Sequence, residues 1–400
     1  MNIDNYNIFY ITNVLEETIK LQRNITTDSP AANRKVISIC SAIRRAGANV
    51  SIISLGRGRC KNSIRNYQVT QAFVNDIPIV YMRYFDLPII THLVSMISLF
   101  IYILNIANRK SIFIYYNFSL HYLLALFFCK LKGSHCFLDL EDGYRHDQKE
   151  IRTLPHKFLL SIYNTCCRSG VILAAEALRE QTTGQNSLVC YGIADEIKIY
   201  HDWSSYPLQV HLGGSLLEDT GAILFLDTLE ILSTRNPDIF EKLRFVVTGF
   251  GECAKKIDLA AKGKMRGFLT FYGNVPLTEY QQIIDNSHIG LNLRLPGTSM
   301  GATTFPSKVM EATSRGVLLI TTKVSDIPLL FDENTAVLLD KATPESLASA
   351  LESIAQNPSK AAEIASNGQL LMRSKFSAAA VGDTLLRFIY ENTTLSNPHP

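Results

Sequence analysis

The residues with the clearest chemical use lie in G-T-S-M-G-A-T-T-F-P-S-K-V-M-E-A-T-S-R-G-V-L-L-I-T-T, positions 297–322. A strand ending near Arg294 runs into a loop rich in Gly, Ser and Thr, Pro306 suits the start of a helix, and Gly316 closes that helix before the next apolar strand. Amides of the loop around Thr303, Thr304 and Phe305, with a helix N-terminus at Ser307, form a preorganised anion site suited to a diphosphate. Lys308 falls in the first helical turn, where its charge opposes the helix dipole unless an anion is present. Glu311 lies four residues from Ser307 and three from Lys308, so it shares their helix face and can accept hydrogen bonds from ribose hydroxyls. The structural alternative is a plain connection before a helix in which Glu311 pairs with Lys308 or Arg315.

A second constellation is L-D-L-E-D-G-Y-R-H-D, 138–147, where a strand ends in three carboxylates within four positions. Alternation places Asp139 and Glu141 on one face and Asp142 on the other. At the carboxyl end of the strand, Glu141 and Asp142 could bind an acceptor hydroxyl and take its proton. The alternative is a solvated bend at Asp142 and Gly143, and D-x-E-D alone is a weak metal signal. In T-T-D-S-P-A-A-N-R-K, 26–35, Asp28 or Ser29 could cap a helix whose free amides around Ala31, helped by Arg34 and Lys35, would hold phosphates. An ordinary capped helix with exposed basic residues reads equally well. His146, His201 and His211 have no evident partners and read as structural or exposed.

Positioning these groups requires strand ends, and the chain supplies them. Short β-like runs at 7–12, 49–54, 79–84, 112–116, 136–140 and 170–174 alternate with helical patterns, of which 31–46 is the clearest. The same grammar resumes at 208–212 and continues through 243–248, 268–272, 289–293, 317–321 and 336–339. This is an α/β fold in which parallel sheets are covered by helices on both faces. The expected organisation is an N-terminal domain over 1–193, a polar linker over 194–206 holding the sole tryptophan, Trp203, a second domain over 207–375, and a last helix and tail over 376–400. The helix should span 376–390, and the tail from 393 should be disordered. Ligands bind beyond the carboxyl ends of such strands, so two such domains facing a cleft would suit joining an activated donor to an acceptor.

Composition narrows the partners. With 39 Lys+Arg against 36 Asp+Glu the formal charge is +3, which argues against a dedicated nucleic-acid binder. Hydrophobic residues at 47% with 19% charged exclude a disordered chain. Eight cysteines without a C-x-x-C pair imply no zinc site and a reducing compartment, and the first residues do not resemble a secretory signal, so a cytoplasmic location is expected. Two uncharged runs, 87–108 and 111–129, approach the length of a membrane span. His92, Asn117 and His121 within them would be costly in hydrocarbon, so buried or membrane-apposed helices are expected rather than spans, the second preceded by a strand.

The 297–322 stretch, with F-V-V-T-G-F-G-E at 245–252, F-Y-G-N-V-P at 271–276, S-D-I-P-L-L-F at 325–331 and Y-G-I at 191–193, resembles GT-B glycosyltransferases, most closely glycosyltransferase family 4. The resemblance is strong over the second half and weak over the first. It implies two Rossmann-like, doubly wound parallel-sheet domains and a last helix crossing back to the first domain. It also implies sugar transfer from a nucleotide-diphosphate donor, usually with retention and without a metal or other cofactor. By it, Glu311 is the ribose-binding glutamate, Gly273 and Val275 form the wall against the base, and Gly249 and Gly251 match the G-x-G turn. Two departures stand out. Thr303 occupies the place of the family's second glutamate, eight residues before Glu311, and Ser215 and Thr220 stand about where a basic pair is often found. Stabilisation of the leaving group then falls on Lys308, Arg294 and backbone amides. The Glu141–Asp142 pair stands where the family often has a histidine. The expectation is a cytoplasmic, peripherally membrane-associated transferase that binds a nucleotide sugar and a glycan or lipid-linked acceptor in building a cell-surface polysaccharide. Rivals are a nucleotide-sugar isomerase or hydrolase of the same fold and a degenerate nucleotide-sugar-binding subunit.

Overall fold

The computed structural model describes residues 6–27, 29–60, 65–87, 90–142, 150–183, 186–194, 199–298 and 305–395. The chain divides into two units, one formed by 1–193 with 378–400 and the other by 194–377.

The first unit is built on eight strands: β1 (Asn7–Thr12), β2 (Asn49–Ser54), β3 (Thr70–Val74), β4 (Ile77–Tyr81), β5 (Ser111–Tyr116), β6 (His135–Leu140), β7 (Gly170–Leu173) and β8 (Ser187–Val189). Their order is β8-β7-β6-β5-β1-β2-β4-β3, parallel throughout except for the β3–β4 hairpin. The central strands are apolar along their whole length because helices cover both faces. On one face, α1 (Pro30–Arg45) contributes Val36, Ile39 and Ile43 to a core shared with Val381, Leu385 and Ile389 of the last helix, Ala378–Leu395. Gly382 lets the two helices touch, since a Cβ there would stand 2.3 Å from the Ala42 carbonyl oxygen. On the other face lie α2 (Ile90–Ile106), α3 (Leu123–Leu131) and α4 (Glu150–Cys166), which bury Leu99, Ile103, Leu126, Leu160 and Tyr163.

Two expectations require correction here. The strand expected over 79–84 ends at Tyr81 and begins at Ile77, because Asn75 and Asp76, both at positive φ (49° and 62°), close a two-residue hairpin that sets its register. The last helix runs on to Leu395, so the tail expected to be disordered from 393 is helical over its first residues. Thr393 is buried, its hydroxyl donating to the Ile389 carbonyl at 2.7 Å. Among the described residues no helix is long and apolar enough to cross a membrane.

The second unit carries β9 (Leu208–Ser215), β10 (Leu243–Phe250), β11 (Leu269–Gly273), β12 (Ile289–Asn292), β13 (Leu318–Thr322) and β14 (Val337–Leu339), all parallel, in the order β11-β10-β9-β12-β13-β14. The chain leaves β9 towards β10 and β11, then returns to β12 on the other side. That reversal places a topological switch point beyond the carboxyl ends of β9 and β12, where open α/β sheets hold ligands. The helices named below are α5 (Ala222–Arg235), α6 (Ala254–Lys262), α7 (Leu277–Asp285) and α8 (Ser307–Ser314). Residues 199–206, within the expected linker, pack inside this unit: the Trp203 ring meets His288 edge-on at 5.4 Å, and His201 Nε2 lies 3.0 Å from the Arg315 carbonyl oxygen.

Candidate active site

At the switch point of the second unit, Gly213, Ser215, Thr220, Asn292, Arg294 and Lys308 line a cavity of about 130 Å³. Lys308 enters from the first turn of α8 and donates from Nζ to the Gly213 carbonyl at 2.7 Å. Part of its side chain remains in solvent, but the ammonium is inserted against β9. A Cβ at Gly214, where φ is +105°, would stand 1.1 Å from Nζ. The glycine pair that ends β9 is therefore the seat of the lysine. Gly249 and Gly251 complete this close packing: with φ of +124° and +153°, their missing Cβ atoms would collide with the Gly214 and Leu216 carbonyl oxygens at 1.8 and 2.4 Å. Burial, with Arg294 nearby and Glu311 opposing, draws the Lys308 ammonium down to about 8. Burial also lowers Arg294, against the pull of Asp219.

Glu311, one turn further along α8, accepts a hydrogen bond from the Tyr280 hydroxyl of α7 at 3.3 Å. The Tyr280 ring stands edge-on to His211 at 5.9 Å, and His211 Nε2 meets the Thr248 hydroxyl at 2.8 Å. Burial, then the Lys308 charge, lowers His211 to about 4, so it is neutral at pH 7. The register sets Gly213 beside Thr248 and Thr248 beside Gly273, which brings the ends of β9, β10 and β11 to one level.

In the first unit, Glu141 follows β6 and forms an ion pair with Lys35 of α1. Asp139, one pleat earlier, is fully buried and accepts from the Tyr10 hydroxyl. Burial raises its carboxyl to about 6, with Lys35 opposing and Glu141 adding to the rise. Burial opposes the charge on Lys35 as well, but Glu141 and Asp139 outweigh it and its pKa is raised. Asn117, at φ +55°, holds the turn after β6: its Oδ1 accepts from the amides of Glu141 (2.8 Å) and Asp142 (3.0 Å), and its Nδ2 donates to Asp142 at 3.4 Å. Asp142 itself is exposed. Asn117, Tyr116, Ser29 and Arg57 are among the residues lining a separate cavity of about 930 Å³.

The structure thus brings Gly249, Gly251, Gly273, Arg294, Lys308 and Glu311 to the strand ends of the second unit. Phe305 and Pro306 are buried beneath the helix start, and Val275 is half-buried just after β11. Thr303, Thr304, Asp28 and His146 lie outside the described residues, as do the side chains of Ser307 and Ala31. Of the two expected caps of α1, Ser29 occupies the N-cap but makes no side-chain capping bond and Asp28 lies outside the described residues, while Arg34 is exposed. Asp139 and Glu141 share a face as expected, both acting on Lys35, and Asp139 is fully buried because β6 is covered on both sides. Sequence reasoning missed Tyr280, and it passed over Lys35 as a partner for Glu141. It also left His211 without a role, although an isolated histidine inside an apolar strand that ends in Gly-Gly was a readable signal. Among the described residues no group of three or more His, Cys, Asp or Glu could hold a metal ion.

Residues 229–387 match the family model described as glycosyl transferase-like. The fold is that of sucrose-phosphate synthase from Thermosynechococcus elongatus, at 12% identity and a TM-score of 0.69 over 98% of this chain and 100% of that one. These matches show that residues 229–387 are similar to glycosyl transferases and that the chain shares the fold of these enzymes. Anabaena HepE in complex with UDP superposes with a TM-score of 0.68 at 12% identity, covering 96% of this chain and 100% of that one. The catalytic domain of starch synthase IV from Arabidopsis thaliana, bound to ADP and acarbose, gives 0.67 at 9% identity, covering 98% and 100%. No curated protein matches the sequence.

Proposed function

We propose that the chain is a GT-B glycosyltransferase that moves a sugar from a nucleotide-diphosphate donor, held by the second unit, to a hydroxyl of a glycan or lipid-linked acceptor held by the first. The observation that carries this reading is the Lys308 ammonium seated on Gly213 at the switch point, one helical turn from a carboxylate braced by Tyr280. Lys308, Arg294 and the α8 amides would hold the diphosphate, and Glu311 the ribose hydroxyls. As the bond from the anomeric carbon to the diphosphate oxygen breaks, the departing charge falls on Lys308, while the acceptor oxygen forms the new bond. Because Glu141 is committed to Lys35, the exposed Asp142 is the carboxylate better placed to receive the acceptor proton. Among the described residues no carboxylate lines the Lys308 cavity, so a retaining transfer here would proceed by front-face attack and not by double displacement through a nucleophile of that cavity. No cofactor or metal enters this scheme.

The acceptor's surface is suggested by α2 and α3. Ile90, Leu93, Ile97, Ile101 and Leu104 recur at helical spacing on α2 and are each more than 40% exposed. Leu124, Phe127 and Leu131 do the same on α3. The helices are joined by an edge-on contact of Phe100 with Phe128 at 5.7 Å. Arg109, Lys110, Lys130 and Lys132 follow in sequence at or near their C-terminal ends. An apolar face bordered by cations matches an anionic membrane surface, and supports a peripheral, cytoplasmic-face enzyme of cell-surface polysaccharide synthesis.

Thermal melting against a panel of nucleotide sugars identifies the donor, since a ligand of the folded state raises the melting temperature. Nucleoside-diphosphate release that requires an acceptor, and that Lys308→Met reduces, supports transfer. Release that is equal without acceptor points to a hydrolase or isomerase, and no stabilisation by any nucleotide sugar overturns the donor assignment. Sedimentation with anionic but not neutral vesicles, abolished by Ile97→Glu with Ile101→Glu, tests the membrane face.

A further inference from the structure

At the N-terminal ends of α2 and α3 lies a cluster that the reaction above does not use. Arg57 Nη1 is 2.6 Å from His92 Nδ1 and 2.8 Å from His121 Nε2, and those ring nitrogens are 2.6 Å from each other. The imidazoles stack with centroids 4.8 Å apart. An arginine nitrogen only donates, whereas a neutral ring nitrogen either donates or accepts. If both ring nitrogens accept, their mutual contact sets lone pair against lone pair. If either donates, it meets Arg57 donor to donor. Every assignment of protons therefore leaves at least one of the three contacts mismatched. An oxyanion placed among them would accept from all three and remove the mismatch, with both rings free to become charged.

Other features point to the same ligand. Arg57 Nε is buried and has no hydrogen-bond partner among the described residues. The Arg57 backbone is clamped by Asn13, whose Oδ1 accepts from its amide and whose Nδ2 donates to its carbonyl, each at 2.9 Å, so the guanidinium is pre-positioned. Arg57 and His92 line the cavity of about 930 Å³ that also receives Ser29 and Ala32 from the first turn of α1, whose amides add positive potential. Among the described residues lining this cavity the one carboxylate is Asp86, which accepts from the Tyr84 hydroxyl at 3.2 Å. Without an anion, burial, Arg57 and His92 hold His121 down to about 4, and burial followed by Arg57 lowers His92. The phenols of Tyr84 and Tyr122 are the other titratable groups that act on Arg57.

We propose that Arg57, His92 and His121 bind a phosphate group of the acceptor. This rests on reading the first unit as the acceptor side, and it makes the acceptor a phosphate ester, free or borne on a lipid. The test is titration of the full chain with inorganic phosphate at constant ionic strength, following imidazole C–H resonances assigned through His92→Gln and His121→Gln. Saturation should raise the His121 pKa by about one unit or more, and Arg57→Gln should raise the half-saturating phosphate concentration ~tenfold or more. Lys308→Met should leave that concentration unchanged, which separates this site from the second unit. If Arg57→Gln fails to melt cooperatively, His92→Gln is read in its place. A His121 resonance unmoved by phosphate, or an affinity indifferent to these substitutions, overturns the site. Competition by phosphatidate vesicles at lower phosphate-group concentration identifies a lipid-borne ester, and its absence a soluble one. Phosphate binding here without transfer to any acceptor defeats the proposed function alone, and transfer without phosphate binding defeats this site alone.

Discussion

Gly214→Ala is the substitution that most sharply separates a structural from a chemical use of Lys308. The new Cβ would lie 1.1 Å from Nζ and 2.4 Å from Cε, a separation no adjustment of a few tenths of an ångström relieves. The backbone cannot yield, because the Gly214 carbonyl oxygen already fills the space where a Cβ of Gly249 would be. The lysine must therefore leave, and its 2.7 Å bond to Gly213 with it. A side chain at φ +105° adds strain of roughly 1–2 kcal/mol, which melting experiments will register. If the ammonium carries the departing diphosphate, kcat should fall by ~10²–10³, the range for losing one preorganised charge-stabilising donor. The assay is steady-state transfer with the donor found by melting, compared for Gly214→Ala, Lys308→Met and the double variant. Because both single changes remove the same interaction, the double variant should be no worse than Lys308→Met alone. Wild-type kcat in a folded Gly214→Ala protein, or losses that multiply in the double variant, would refute the reasoning.

Glu311→Ala should raise donor KM and lower kcat/KM by ~10-fold or more, with Tyr280→Phe producing a smaller loss in the same direction. Unchanged kinetics with a lower melting temperature would leave Glu311 a structural role only. Since Lys308 titrates at about 8, kcat/KM should fall by up to ~tenfold per pH unit above that value, and Lys308→Arg should move the fall upward in pH. Its folded value lies below the ordinary lysine value of 10.5, so the folded chain binds fewer protons between about 8 and 10.5, and this group makes stability rise with pH there. His211, held at about 4 against 6.5 when unfolded, contributes stability that is present above pH 6.5 and lost as pH falls towards 4, at up to ~1.4 kcal/mol per unit. Chemical denaturation across that range should show a shallower loss in His211→Asn, measured in a His121→Gln background because His121 titrates in the same window.

The parts of the fold that were legible in the sequence are those that one local rule dictates. Strands such as I-F-I-Y-Y, buried on both faces, are apolar throughout, and the helix over 31–46 declares itself through Val36, Ile39, Cys40 and Ile43. The Asn75–Asp76 hairpin was missed because neither residue is glycine, although both adopt positive φ. The last helix was cut short because T-T-L looks like a polar end, whereas Thr393 satisfies its hydroxyl on the preceding helical turn and is buried. In the candidate site, the nearness of Lys308 and Glu311 on one helix was legible from their spacing. Their partners were not, since Gly213 lies 95 residues and Tyr280 31 residues away in sequence. The same holds for Lys35 with Glu141, and for the meeting of Arg57 with His92 and His121. Each depends on which strand ends adjoin, and that follows from sheet order, which periodicity does not contain.

Among the described residues the cavity over β9 is lined by two cations, Lys308 and Arg294, and by no carboxylate, and both cations sit below their ordinary pKa values. Burial is the main cause in both, with Arg294 adding to it at Lys308, so the binding energy of a diphosphate is partly its compensation of cations that have lost water. Ser215 and Thr220 on the same cavity are neutral, and on this view the neutrality is a consequence of Lys308's position. A further cation on β9 would press the lysine down still more and empty its charge near pH 7. Ser215 is exposed on the cavity rim, and the Thr220 hydroxyl bonds it only through the backbone, donating to the Ser215 carbonyl at 2.6 Å, so its side chain can be replaced. Ser215→Arg should therefore slow transfer in the wild-type background and partly restore it in Lys308→Met, where the repulsion is gone and the charge is missing. Opposite effects in the two backgrounds are the signature of a cavity that requires a set amount of positive charge. Loss of activity in both would show that the Lys308–Gly213 contact itself, and not its charge, is what the reaction requires.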